Sequence, residues 1–246
     1  LGITFCDAQI LSDNYNNMIV ETNFSKMFSS LFIVITIFLV AMSQDFYKEQ
    51  YEKISDYISL KIFLLIGAVC MISFGNLTMF FIGLEILSIT LYILAGSNPT
   101  KIKSNEAGMK YFLLGSFASG FILFGIALIY GATASFDLNT ISNAILNPET
   151  PNFLSLGVVL VTIGMLFKIA AFPFHFWAPD VYQGSPTITT ASMSTLAKVA
   201  AMATLFKIHA IFESYMSEAF TVLLICLAIV TMFVGNIMAL KQDNIK

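Results

Sequence analysis

Residues 62–100 read IFLLIGAVCMISFGNLTMFFIGLEILSITLYILAGSNPT, and within this run only Glu85 carries a charge. At about 1.5 Å of rise per helical residue, the stretch is close to twice as long as a hydrocarbon core of roughly 30 Å requires. One crossing cannot use it, and Gly75-Asn76 supplies small, turn-forming residues near its middle. The run therefore reads as two antiparallel membrane helices at 59–75 and 77–96, the second with a carboxylate near its centre.

Outward from this pair the same reasoning repeats. Residues 27–44 are free of charge and form a preceding span, and residues 111–136 form a following one. The latter is predicted at 108–131, entered through Ser104-Asn105-Glu106, a sequence of the helix-capping kind. Three more spans are expected at 154–173, 187–211 and 218–240, with a proline-containing segment from 173 to 186 breaking the path between the first two. The fold class is thus an all-α integral membrane protein of about seven transmembrane helices, one of them broken. Residues 1–26, with Asp7, Asp13 and Glu21, read as an extramembrane segment.

Composition agrees: 57% of residues are hydrophobic and 11% charged, where a soluble domain carries about 25% charged residues. All twelve basic residues are lysine, which removes the bidentate guanidinium from the repertoire and argues against nucleic acid as a partner. Cys6, Cys70 and Cys226 lie far apart, with no C-x-x-C spacing for zinc or an iron–sulfur cluster, and read as small apolar fillers. Glycine-rich nucleotide fingerprints are absent too, so no cofactor is expected in this chain. The N-terminal stretch begins with leucine and lacks the order of a signal peptide, which predicts an incomplete chain.

Lysines in alternate loops set an expected orientation. Lys48, Lys53, Lys101, Lys103, Lys241 and Lys246 fall on one side, and Lys26 on the other. Short cytoplasmic loops retain positive charge, so the N-terminus is predicted outside and the C-terminus inside, as an odd number of spans requires.

Three charges lie where lipid would be. Glu85, Lys168 and Lys198 each fall roughly 11 to 21 Å into their predicted spans, by the helical rise. A central charge costs on the order of 2.5 to 3.5 kcal/mol on insertion scales, so each invites a functional reading. A structural ion pair is the simpler account. One carboxylate cannot neutralise two lysines, however, and a lysine that is neutral, hydrated or paired elsewhere can exchange protons. Lys61 and Lys207, near helix ends, read as snorkelling side chains. Lys110 either snorkels or forms the entrance of a proton path, and Glu106 serves the positive end of its helix. His175 sits beside the proline break and can relay a proton near neutral pH or simply close a helix end. Trp177 and Tyr182 fit the same segment or an interfacial belt.

The segment FKIAAFPFHFWAPDVYQGSPT (167–187) resembles the antiporter-like membrane subunits of respiratory complex I, the proton-pumping NADH:quinone oxidoreductase. Phe176 and Ala178 stand where sister subunits M and L usually have threonine and leucine, which is similar to the subunit-N branch. FFIGLEILSITLYILAG (80–96), EAGMKYFLLGSFASG (106–120) and NIMALKQDNIK (236–246) extend the likeness. The resemblance implies the first half of an inverted-repeat antiporter-like fold, with a second five-helix unit after Lys246. It implies Glu85 as acidic partner, Lys168 as the proton-accepting lysine of the broken helix, His175 with Lys198 as a central relay, and Lys110 as the lysine opening the preceding helix. It implies a bacterial inner membrane, and partners among the other membrane-arm subunits, with NADH, FMN, iron–sulfur clusters and quinone held elsewhere in the complex. The same residues fit two other functions: a subunit of a multi-subunit cation/proton antiporter, or a passive membrane scaffold.

Overall fold

The computed structural model describes residues 17–46, 54–146, 151–244 and 246, with the side chains of 44–46 left aside. Of the expected extramembrane segment, residues 1–16 therefore lie outside the described residues, as do Cys6, Lys48 and Lys53. The described chain is helical throughout: α1 (Asn23–Phe46), α2 (Ile54–Ser73), α3 (Leu77–Ala95), α4 (Ile102–Thr133), α5 (Leu138–Ile145), α6 (Phe153–Ile169), α7 (Ala178–Gly184), α8 (Thr187–Ser192), α9 (Lys198–Phe212) and α10 (Glu218–Leu240). A π-helical turn, Met193–Ala197, joins α8 to α9, so that Thr187–Phe212 is one continuous span. Among the described residues, six helical stretches are long and apolar enough to cross a membrane, and α6 is a shorter apolar helix.

In lipid the apolar effect does not drive helix against helix, so close approach at small residues matters instead. Gly125 of α4 and Gly157 of α6 show it: a Cβ on Gly125 would lie 2.7 Å from the Gly157 carbonyl oxygen, and one on Gly157 would lie 2.9 Å from that of Gly125. Phe117, Phe124, Phe206 and Phe233 point outward, the side chains a lipid solvent accepts. No residue of α10 is buried.

The α2–α3 reversal falls at Gly75-Asn76, and its main chain is satisfied by neighbours. Gly75 N donates to Met18 O and Val20 N to Ser73 O; on the other flank Leu77 N donates to Phe136 O and Leu138 N to Gly75 O. Asn76 caps α3 by accepting from Thr78 N at 2.8 Å. The cap expected at Ser104-Asn105-Glu106 is corrected: α4 starts at Ile102, and Ser104 Oγ donates to Ala95 O at 2.8 Å, tying two helices together. Hydropathy marks where hydrocarbon begins, whereas α4 starts between one and two turns earlier, in a stretch that carries Lys103 and Glu106.

Candidate functional site

The break in the sixth helix organises the interior. At Ala170 the backbone turns left-handed, with φ of 59°, and α6 stops before the proline is reached. Carbonyls freed at a helix end must find partners at membrane depth. Ala171 N donates to Leu166 O, Trp177 Nε1 donates to Phe167 O at 3.1 Å, and Lys198 Nζ donates to Lys168 O at 3.2 Å. Phe172 N, beyond the break, donates to Thr231 Oγ1 of α10. Lys198 thus sits on the carbonyl end of α6, where the helix dipole favours a cation.

Lys168, in the last turn of α6, points to α3. Its Nζ donates to Ser88 Oγ at 2.8 Å and to Tyr92 Oη at 3.1 Å. Glu85 lies on α3 three residues before Ser88, on the face that carries Ser88 and Tyr92. No ion pair joins Glu85 to Lys168 among the described residues, and Glu85 Oε1 is buried without a hydrogen-bond partner. Ser119 Oγ is likewise unpartnered. Carboxylate, hydroxyls and ammonium therefore follow one another along α3 and across to α6, as a sequence of polar groups rather than a closed pair.

Lys198 carries the sequence onward. Its Nζ lies 4.9 Å from the Trp177 ring centre and 6.0 Å from that of Tyr182. Trp177 is buried, stacked between Tyr111 and Phe167 at 4.7 and 5.5 Å. The interfacial-belt reading of Trp177 is thereby corrected: its indole caps a helix carbonyl inside the protein and offers a π face to an ammonium.

Lys110 stands apart from this interior. It pairs with Glu106 one turn away and with Asp180 of α7, both at 2.8 Å, with side chains about half exposed. Glu106 is therefore an ion-pair partner of Lys110. His175 also lies apart: it stacks on Phe172, its Nε2 is 3.0 Å from Met238 Sδ of α10, and its Nδ1 is buried without a partner. Lys168 and Lys198 thus meet at the break, Glu85 lies further along α3 beyond Ser88, and Lys110 and His175 occupy the flanks.

The snorkelling reading of Lys61 is corrected as well. Lys61 is 2% exposed and donates to Leu39 O of α1 at 2.9 Å. Lys207 donates to Ile72 O and Phe74 O at 3.0 and 2.5 Å, closing the carbonyl end of α2.

Sequence reading missed Ser88 and Tyr92. Their positions, three and seven residues after Glu85, place all three on one helix face, a signal that was available.

Apolar helices around a broken helix, with ionisable side chains in the interior beside the break, define a multi-pass membrane protein. The chain belongs to the NADH:quinone oxidoreductase/Mrp antiporter transmembrane family, whose profile matches residues 74–246. The likeness noted along 167–187 agrees with this. A protein of Flavobacterium psychrophilum named NADH-quinone oxidoreductase subunit N is 60% identical over 245 residues, covering 100% of this chain and 54% of that protein. The chain spans about half the length of the curated relatives it matches. Among solved structures, a chain of respiratory complex I from Thermus thermophilus is 34% identical with a TM-score of 0.72, over 89% of this chain and 45% of that one. A chain of an archaeal membrane-bound sulfane sulfur reductase is 31% identical with a TM-score of 0.77, over the same 89% and 45%.

Proposed function

We propose that this chain serves in a proton-translocating membrane subunit of NADH:quinone oxidoreductase, in which Glu85, Lys168 and Lys198 pass protons along the broken helix. On this reading Lys110 and His175 lie at the approaches. The chain performs no redox step and binds no cofactor; NADH, FMN, iron–sulfur clusters and quinone belong to partner subunits. Its partners are the other membrane-arm subunits and the lipid of a bacterial inner membrane, with the described N-terminal end outside and residue 246 inside.

One observation carries the proposal: Lys168, buried, is held by two hydroxyls and no carboxylate among the described residues. A hydroxyl accepts from an ammonium and, after rotation, donates to the lone pair of an amine. The Ser88 hydroxyl already donates to Leu84 O at 2.7 Å and accepts from Lys168 in either state. The hydroxyl that turns to a neutral Lys168 is therefore that of Tyr92, an exchange a closed Glu–Lys pair would not allow at similar cost.

The test is Lys168→Met in the full-length subunit of the intact complex, read as proton pumping and quinone reduction per assembled complex. Both are expected to fall by at least about tenfold, the loss of a positioned proton carrier. Unchanged coupled turnover would reject the role. Sodium-driven exchange that continues without NADH oxidation would assign the same residues to cation/proton antiport.

A further inference from the structure

At the end of the helices where α3 passes to α4 and α7 to α8, a cavity of about 250 Å³ opens. Lys101, Lys103 and Lys246 line it, and no carboxylate does among the described residues. Neither Lys101 nor Lys103 has an ion-pair partner among the described residues. The nearby carboxylates Glu106 and Asp180 are taken by Lys110.

Loop lysines by themselves follow from the preference of basic residues for one side of a membrane. Two unsatisfied hydroxyls do not. Ser97 and Ser185 both border the cavity, and the Oγ of each is buried with no hydrogen-bond partner; Ser185 is 1% exposed. A buried hydroxyl without a partner is costly, which points to a ligand that satisfies it. The 32-residue helix α4 also begins here, at Ile102 behind the N-cap Lys101, with no side-chain cap. Uncapped N–H groups, free ammonium groups and hydroxyl donors form a set suited to tetrahedral oxyanions. Basic pockets between helices at a membrane edge suit phospholipid headgroups in particular.

We propose that this cavity binds a phosphate group, presented by an anionic phospholipid or free in solution, with Lys101, Lys103, Ser97 and Ser185 as its donors. The site is separate from the polar sequence around Lys168 and stands whether or not that sequence carries protons.

Native mass spectrometry of the purified full-length subunit tests it, with phosphatidylglycerol, phosphatidylcholine or inorganic phosphate as probe. Wild type is expected to retain one phosphatidylglycerol in preference to phosphatidylcholine. The double variant Lys101→Gln with Lys103→Gln is expected to bind it about thirtyfold more weakly. Lys241→Gln, outside the cavity, is expected to bind it like wild type. Displacement of the lipid by millimolar inorganic phosphate supports the site with free phosphate as occupant, and retention against it supports the lipid. Equal retention by wild type and the double variant overturns the proposal, as does a loss in Lys241→Gln matching that of the double variant. Where the double variant fails to fold, Ser185→Ala, which leaves every charge in place, is expected to weaken retention about fivefold; unchanged retention overturns the proposal.

Discussion

Lys168 and Lys207 lie on neighbouring interior helices, the first buried and the second half-buried, and they are held differently. Lys207 donates to two main-chain carbonyls at the end of α2. Lys168 donates to the side-chain hydroxyls of Ser88 and Tyr92 in mid-protein. A carbonyl only accepts, so it rewards an ammonium and offers nothing to an amine's lone pair; a hydroxyl serves both. On the proposed reading the difference separates Lys207, which fastens helices, from Lys168, whose partners suit either protonation state. Lys198, bound to the Lys168 carbonyl, exchanges its proton on that reading with the rings of Trp177 and Tyr182 beside it in place of hydroxyls of this kind. Depth in the membrane alone would not have drawn that line, since Lys61, among the most buried residues, also binds a carbonyl.

The largest effect on stability is expected from the fastening lysine. Lys207→Met deletes the donor to Ile72 O and Phe74 O, and hydrogen bonds from a charged donor contribute about 1.5 to 3 kcal/mol each. The thermal midpoint and the yield of assembled complex should drop, while turnover per assembled complex stays at the wild-type level. A variant that assembles normally but turns over slowly would break the comparison, because Lys207 would then belong to the route.

The hydroxyl pair sharpens it from the other side. Ser88→Ala or Tyr92→Phe removes one reversible partner of Lys168, worth about 1 kcal/mol, so coupled turnover per assembled complex should fall about fivefold in each. Ser88→Thr keeps a hydroxyl and should restore most of the rate. If Ser88→Ala is silent, or if threonine does not rescue it, the hydroxyls are packing and Lys168 works without them.

How much of this was open to reading in the sequence depends on dimensionality. Spans are one-dimensional facts, since a charge-free run either matches the bilayer or does not, and the doubled run at 62–100 resolved at Gly75-Asn76. Helix ends were less legible. α4 begins at Ile102, ahead of the expected 108, because a helix outlasts the hydrocarbon it crosses; α6 ends at Ile169, ahead of the expected 173, because Ala170 turns left-handed before the proline. Glu85, Lys168 and Lys198 announced themselves through the cost of charge in lipid. Their partners did not, for a serine or tyrosine in an apolar helix costs little and becomes informative only when another helix brings a lysine to it. The pairing of Lys110 with Asp180 joins α4 to α7 with α5 and α6 between them in the chain, which no local spacing encodes.

That last pair provides the smallest expected effect. Lys110 bridges Glu106 and Asp180 across α4 and α7 with all three side chains about half exposed. Exposed ion pairs are screened and contribute little, and Asp180→Asn leaves Glu106 to hold the ammonium. Thermal stability should not change measurably, and coupled turnover should fall by less than about twofold. The reason is geometric: Lys110 contacts neither the hydroxyls of α3 nor the carbonyl end of α6 among the described residues, so its charge reaches Lys168 and Lys198 only through screened distance. A loss in Asp180→Asn as large as that in Ser88→Ala would mean that protons enter through this bridge, and the functional boundary would then run past the break to the α4–α7 surface.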